Sequence, residues 1–562
     1  MAEIQPLKTW YKEMVVYQIW PRSFCDGNGD GIGDIKGIIS KLDYIKSLGA
    51  TAIWFSPLFK SPQKDYGYDI ADYRDIAPEY GTLDEFKELL KLAHFKGLKI
   101  IMDLVINHTS DQHQWFLESR KSKDNPYHDY YFWRKGRRGG KKPPNNWLSS
   151  FPGPGWEYDK DLDEYYLHLF AVEQPDLNHD NPKVRQEIKE IMRFWLDMGV
   201  DGFREDVITY ISKKEGLPNG FPIPAARGIE NYVNGPHIHE YLSEYKNEVL
   251  ADYDCMTVGE APMMTPKLAL KYIGEGKGQE LNMMFHFQHM EADCLFVEWI
   301  RRPFNLKKLK KVYTNWQTEL YRKGWNALYI ENHDHSRIIN RYGSTKFRVE
   351  SGKMLAAMYI CQSGTPFIYQ GQEIGMTNIE LPELEMYADI ATQNTYKLFR
   401  KLHFKKETFM KIAKVAARDN ARTPVQWSAE KNAGFTTAEK PWFYINPNYT
   451  KVNVEADEKD ENSLLNFYRR LLKLRSENPV IIYGDYKEHY QSSKELFVYE
   501  RNYEGKRLLT VNSFVENPVS FKAPEGFDLS KGTLVLSNYP VENPIANSFM
   551  TKPYETRVYL FL

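Results

Sequence analysis

Eight short apolar runs rich in β-branched residues recur along this chain, at positions 15–20, 51–57, 99–105, 199–203, 256–259, 283–287, 327–330 and 365–369. Helical patterns fill the gaps between them. Runs that are apolar on both faces suit strands buried in a parallel sheet, and eight is the number that closes a barrel of alternating strands and helices. The helices carry their own punctuation. Thr82 with Glu85 forms a capping box, Phe86, Leu89, Leu90 and Ala93 make one apolar stripe, and Gly97 ends it just before the third run. Asn181 as N-cap and Pro182 at the first helical position open another helix, whose Val184, Ile188, Ile191 and Trp195 share a face up to Gly199. The spacing predicts an α/β fold, a (β/α)8 TIM barrel with right-handed crossovers.

Two interruptions and a change of period set the domain plan. Residues 1–107 hold the first part of the barrel. The connection at 108–178, rich in Lys, Gly, Pro and aromatic residues (GRRGGKKPPNNW), is too long for a βα loop and reads as a subdomain beside the rim. The barrel resumes over 179–483, with a helical insertion at about 371–461. From 484 to 562, period-two strands at 496–501, 507–512 and 556–562 predict a C-terminal antiparallel β-domain.

At 562 residues, 42% apolar and with a net charge of -1, the chain has ample material for a core and no overall charge to attract a polyanion or a membrane surface. Nucleic-acid and membrane partners are disfavoured. Cys25, Cys255, Cys294 and Cys361 show neither zinc spacing nor the density of a disulfide scaffold. The opening MAEIQPLKTWYKE lacks an export signal, and no stretch is apolar for long enough to span a bilayer, so a cytoplasmic location is expected.

Three acids stand where apolar runs stop: Asp206 in DGFREDV, Glu260 in MTVGE and Asp334 in ENHD. A parallel barrel brings the carboxyl ends of its strands to one rim, so acids remote in sequence can meet there. Cleaving a sugar acetal needs a carboxylic acid to protonate the leaving oxygen and a carboxylate facing the oxocarbenium-like centre, so the cluster points to glycoside chemistry. Arg204 and Asp206, two apart on a strand, share a face, while Glu205 points to the other. A guanidinium keeps the neighbouring Asp206 ionised, as a nucleophile requires, whereas Glu260 at the end of an apolar strand is placed for a raised pKa, as a proton donor requires. Taken singly, an RxD, a VGE or an NHD is more often an ion pair or a loop cap, and Asp103 and His108 in DLVINHTS are equally unspecific. Asp26-x-Asn28-x-Asp30-x-Ile32-x-Asp34 presents oxygen donors at alternate positions among glycines, like the first part of an EF-hand loop without its terminal Glu, and predicts a structural Ca²⁺. The basic run at 134–142 reads as a solvated loop.

The combination is far more specific than its parts. DLVINH (103–108), GFREDV (202–207), VGE (258–260) and ENHD (331–334), in that order, resemble the four short regions of the alpha-amylase superfamily, glycoside hydrolase family 13, and the resemblance covers essentially the whole chain. It implies that Asp206 is the nucleophile, Glu260 the general acid/base and Asp334 the transition-state stabiliser of a retaining mechanism. VVYQIWPRSFCDGNGDGIGD, DYGYDIADY, QPDLN (174–178) and NARTPVQW are similar to the oligo-1,6-glucosidase and alpha-glucosidase branch. By that resemblance Asp65, Tyr68, His108, Phe170, Gln174, Arg204, His333 and Arg422 line the pocket for the nonreducing glucose, and Asp65 with Arg422 closes it, making the enzyme exo-acting. Val207 resembles the branch preferring α-1,6 bonds. The expected substrates are isomaltose and short isomalto-oligosaccharides, with no metal in the hydrolysis itself and no obligate protein partner. A sucrose isomerase, a trehalose-6-phosphate hydrolase and an α-1,4-preferring α-glucosidase are neighbouring readings, and a noncatalytic interaction homologue is the alternative of another class. Glu205 stands where relatives are often apolar, and His335-Ser336 precede Arg337 where many have an apolar residue and proline. The RLDRD-type loop of sucrose isomerases is not found; EWIRRPFNL lies in its neighbourhood.

Overall fold

In the computed structural model, which describes residues 9–223, 226–276, 278–295 and 297–562, the described residues form eight parallel strands around one core. These are β1 (Val16–Ile19), β2 (Ala52–Phe55), β3 (Lys99–Leu104), β4 (Gly202–Glu205), β5 (Met256–Ala261), β6 (Met283–His286), β7 (Ala327–Leu328) and β8 (Thr365–Tyr369). They lie in the order β6-β5-β4-β3-β2-β1-β8-β7. A parallel bridge from Met284 to Asn326 joins the two ends and closes the barrel.

The expected strands are all present, with boundaries displaced by up to three residues. The run at 199–203 becomes a strand only at Gly202, because Gly199 takes φ 108° as the cap of the preceding helix. Of the run at 327–330, only Ala327–Leu328 stays in the ladder, and Tyr329 and Ile330 carry the chain on towards the rim. Helix α1 (Leu83–Phe95) has its capping box: the Glu85 N–H donates to Thr82 Oγ1 at 3.2 Å and the Thr82 N–H to Glu85 Oε2 at 2.8 Å. Helix α2 (Pro182–Met198) begins where the Lys183 N–H donates to the Asn181 side chain at 2.9 Å. Trp195 of α2 is fully buried with its ring centroid 5.4 Å from Phe59 and 5.3 Å from Phe86, and its Nε1 donates to the Tyr73 carbonyl at 2.8 Å. Truncating such a core side chain typically costs about 3–5 kcal/mol.

Between β3 and β4 lies a three-stranded antiparallel sheet of Trp133–Arg134, Glu164–Leu167 and Trp156–Asp159. The His108–Asp176 bridge ties its ends together at the barrel rim, and a buried Lys213–Asp176 ion pair of 2.8 Å braces them. After β8, helices α3 (Ile390–Lys401) and α4 (Lys406–Ala416) form a hairpin whose Phe409 and Ala413 pack with Ile379, Leu384 and Tyr387. The chain ends in a five-stranded antiparallel sheet centred on Leu496–Tyr503, Lys506–Ser513 and Thr556–Phe561. Buried Arg501 fastens this sheet to the barrel by donating to the Cys361 carbonyl at 3.1 Å, beside Arg475, which donates to the Ile360 carbonyl at 2.7 Å. These guanidiniums satisfy carbonyls at the end of the helix Arg348–Ile360 that no amide can reach. No described helix is long and apolar enough to cross a membrane.

Candidate active site

Strands β3, β4 and β5 set three carboxyl groups against one guanidinium. Asp103 on β3 and Val258 on β5 flank Arg204 in register, so Glu260, two residues beyond Val258, projects to the same side one step nearer the rim. Arg204, 2% exposed, donates through Nη1 to Asp103 at 2.8 Å and to Asp206 at 2.5 Å, and through Nη2 to Glu260. The next residue, Val207, sits at φ 34°, ψ 41°. A β-branched residue in the left-handed region carries strain of about 1–3 kcal/mol. That turn aims the Val207 N–H at Glu260 Oε2, 3.3 Å away.

Burial raises the pKa of each acid, but unequally. Asp206 goes up to about 6 against the pull of Arg204, whereas Glu260 goes to about 8, with Arg204 opposing the rise and Asp206 and Asp334 adding to it. The two carboxyl groups also hydrogen-bond to each other, a contact that lowers Asp206 and raises Glu260. Near neutral pH the shared proton therefore sits on Glu260, which donates, and Asp206 is the carboxylate.

A second wall faces this group. Asp334 accepts from Arg418 Nη1 at 3.0 Å and Arg422 Nη2 at 3.1 Å, and lies 3.0 Å from His333 Nε2. Partial burial works against its ionisation, but these three neighbours outweigh it and hold Asp334 well below the usual carboxylate range. His333 is stacked between Tyr68 (centroids 5.3 Å apart) and Trp20 (5.2 Å), and burial lowers its pKa to about 4. The Gln18 amide donates to His333 Nδ1 at 2.8 Å, which leaves the imidazole proton on Nε2, towards the Tyr68 hydroxyl at 2.8 Å. That hydroxyl donates onward to Asp103 at 3.0 Å.

The remaining expected residues close the floor. Gln174 Nε2 donates to Asp65 Oδ2 and to the Tyr68 carbonyl, both at 3.1 Å, and His108 Nε2 donates to the same carbonyl at 3.0 Å. Phe170 leans on His108 with ring centroids 5.1 Å apart. Burial raises Asp65 to about 7 against Arg418 and Arg422, and lowers His108 to about 4. The direct contact to Asp65 comes from Arg418 Nη2, at 3.3 Å, while Arg422 lies behind it on Asp334 and on Asp389 at 3.4 Å. Arg418 and Asp389, joined at 2.5 Å, were not anticipated from the sequence. The only signal for Arg418 was ARDNAR, where it opens the short 3₁₀ helix Arg418–Ala421, one turn ahead of Arg422 at the cap.

The alpha-amylase catalytic-domain family model matches residues 18–484. The chain belongs to the alpha-amylase family. It is 50% identical over 559 residues to an oligo-1,6-glucosidase of Parageobacillus thermoglucosidasius, and 51% identical over 557 residues to one of Halalkalibacterium halodurans, covering 98% of this chain and 99% of each relative. Among solved structures, a trehalose-6-phosphate hydrolase of Bacillus licheniformis superposes with a TM-score of 0.94 at 42% identity, covering 99% of this chain and 100% of that one. An isomaltulose synthase of Klebsiella sp. LX3 superposes with a TM-score of 0.95 at 40% identity, covering 98% and 99%.

His335 and Ser336 hydrogen-bond away from the pocket network. His335 Nδ1 faces both oxygens of Glu298 at 3.1 Å and Ser336 accepts from Arg301 at 3.1 Å, so both residues fasten the strand Val297–Arg301, which runs into EWIRRPFNL. The loop at 26–34 is folded by its own Asx turns. Asp26 Oδ1 accepts the N–H groups of Asn28 (3.0 Å) and Gly29 (2.7 Å), Asn28 Oδ1 accepts from Asp30 (2.9 Å), and Asp30 Oδ1 accepts from Ile32 (2.8 Å). Asp34 accepts from Gly37 at 2.6 Å as the N-cap of the helix Ile35–Ser40. Among the described residues no three His, Cys, Asp or Glu side chains are gathered as a metal group. The loop's donors are all hard oxygens, the Asn28 amide and Ile32 carbonyl included; Asp26 already accepts four hydrogen bonds, from Asn28, Gly29, Gly31 and Thr436, while Asp30 and Asp34 keep unused lone pairs.

Glu205, on the opposite face of β4 from Arg204 and Asp206, is 2% exposed, and its Oε2 has no hydrogen-bond partner among the described residues. Burial pushes it up to about 8. Unfolded, it titrates near ~4.3, so the native state holds a proton that the unfolded state releases between those values, and stability falls as pH rises through that window by up to about 1.4 kcal/mol per unit. Glu205→Gln removes this dependence: its Tm should rise relative to wild type on going from pH 5 to pH 8. Parallel Tm curves for the two proteins would contradict a neutral buried carboxyl.

Proposed function

We propose that the chain is a retaining, exo-acting α-glucosidase that releases terminal α-1,6-linked glucose from isomaltose and short isomalto-oligosaccharides. The observation that carries this reading is that Arg204 donates through Nη1 to Asp206 and through Nη2 to Glu260, which gathers both carboxyl groups on one guanidinium, with the pKa of Glu260 raised further than that of Asp206. An inverting pair stands about 6.5–9.5 Å apart to admit a water, whereas a retaining pair needs only ~5–5.5 Å. Asp206 attacks the anomeric carbon as the glycosidic C–O bond breaks, and the Glu260 proton passes to the departing oxygen. Glu260, now a carboxylate, takes a proton from water as that water displaces Asp206 from the glycosyl ester, which restores both groups and keeps the α configuration. Asp334 and neutral His333 hold ring hydroxyls, and the closed floor of Asp65, Gln174, His108 and Arg418 limits the site to a terminal sugar. A buried set of donors and acceptors of this kind rejects an analogue lacking a hydroxyl, because its own groups are then left unpaired.

The linkage preference is supported by the relatives of 50% and 51% identity that are named oligo-1,6-glucosidases, and by Val207, whose N–H lies 3.3 Å from Oε2 of Glu260, the acid that protonates the leaving group in this reading. Proton NMR of isomaltose, maltose, sucrose and trehalose 6-phosphate digests tests the proposal. Isomaltose should be cleaved fastest, and the glucose from its nonreducing end should appear as the α anomer, so that the initial α fraction exceeds that of equilibrated glucose. Asp206→Asn and Glu260→Gln should each lose about 10³-fold or more in kcat on isomaltose while remaining folded, and Val207→Thr should raise the maltose-to-isomaltose ratio. An initial α fraction below that of equilibrated glucose, or full activity in either acid variant, would overturn the mechanism; faster turnover of trehalose 6-phosphate or conversion of sucrose to an isomer would overturn the substrate.

We also propose a structural Ca²⁺ on Asp26, Asn28, Asp30, the Ile32 carbonyl and Asp34, remote from the chemistry. Metal analysis should find about one calcium per chain, and chelation should lower Tm. Calcium-free protein with an unchanged Tm after chelation would count against it.

A further inference from the structure

The helix hairpin after β8 carries a surface that the pocket does not use. From Lys397 to Lys411 the chain reads KLFRKLHFKKETFMK, with six Lys or Arg side chains and one acid, in a protein whose net charge is only -1. Averaging over 562 residues conceals this local excess. Lys397, Arg400, Lys401, Lys405 and Lys411 are exposed and form no ion pair among the described residues, whereas Lys406 pairs with Glu383 at 3.1 Å and Glu385 at 3.5 Å. Amid these cations, Leu398, Leu402 and Phe404 are 39%, 58% and 44% exposed. Leu398 and Leu402 lie one helical turn apart, and His403 at φ 63° then reverses the chain to present Phe404. Beneath them Phe399 packs on Phe404 (centroids 5.0 Å) and on Phe409 (5.4 Å), so the tip rests on a fixed aromatic base.

The two sets of side chains together select a partner. Single-stranded RNA can stack a base on Phe404 but offers no apolar surface to Leu398 and Leu402, and a second copy of this tip would meet five like charges. An anionic bilayer meets both demands, with phosphates for the cations and an acyl boundary for the apolar groups. We propose that the tip of the α3–α4 hairpin is a docking surface for an anionic lipid bilayer, attaching the protein to the surface without spanning it. Leu398, Leu402 and Phe404 enter the headgroup layer, and Lys397, Arg400, Lys401, Lys405 and Lys411 pair with lipid phosphates.

Co-sedimentation of the full chain with vesicles of phosphatidylglycerol and phosphatidylcholine, against phosphatidylcholine alone, tests this. Binding should require phosphatidylglycerol and weaken with added salt. The double variant Lys401→Glu/Lys405→Glu should partition about tenfold less or weaker still, and Leu402→Ser/Phe404→Ser several-fold less. Both should keep wild-type turnover of a nitrophenyl α-glucoside in solution, which shows that they are folded. No binding to phosphatidylglycerol vesicles, or equal binding by both variants, overturns the proposal. So does loss with the charge variant alone, accompanied by competition from RNA, which marks a polyanion site. A change in oligomeric mass of Leu402→Ser/Phe404→Ser without loss of vesicle binding marks self-association instead.

Discussion

Around the Arg204 guanidinium, Asp103, Asp206 and Glu260 compete for one positive charge in a place that water scarcely reaches. Ionising all three would leave a buried negative excess, so at least one must hold a proton, and the environment decides which. Glu260 has Asp206 and Asp334 adding to its rise, while Asp206 gains from both Arg204 and the Glu260 proton. Two chemically similar acids thereby come to hold opposite protonation states near neutral pH. That asymmetry is what a double displacement requires.

The barrel exists to hold that asymmetry in place. Asp103, Arg204 and Val258 are neighbours in register across β3, β4 and β5, so strand ladders on both sides fix the backbone from which the guanidinium projects. The left-handed turn at Val207 and the desolvated charges are costs that rigid packing must offset. His333, clamped between Tyr68 and Trp20, shows the same principle on the opposite wall: burial keeps it neutral, and Gln18 fixes which nitrogen bears the proton.

Much of this was legible in the sequence, for specific reasons. Strands buried on both faces leave unbroken apolar runs, and Thr82 with Glu85 or Asn181 with Pro182 mark helix starts through local chemistry alone. The opposite facing of Arg204 and Glu205 followed from the two-residue period of a strand. What escaped depends on tertiary placement. Whether Arg418 or Arg422 reaches Asp65 is decided by a 3₁₀ turn docked against the rim, and no local pattern announces Asp389 as the partner of both. The roles of His335 and Ser336 were equally hidden, because Glu298 and Arg301 come from a distant part of the chain. The cationic, apolar hairpin tip was overlooked for a different reason: net charge is an average, and a segregated patch vanishes in it.

The most direct test of the shared-guanidinium account is the pH dependence of kcat/KM for a nitrophenyl α-glucoside, whose leaving group needs little protonation, in wild type and Glu260→Gln. The wild type should give a bell with limbs near 6 and near 8, from Asp206 and Glu260 respectively. The variant should lose the alkaline limb and keep an acid one. An alkaline limb that survives in Glu260→Gln would show that the proton resides elsewhere, and the division of labour around Arg204 would be wrong.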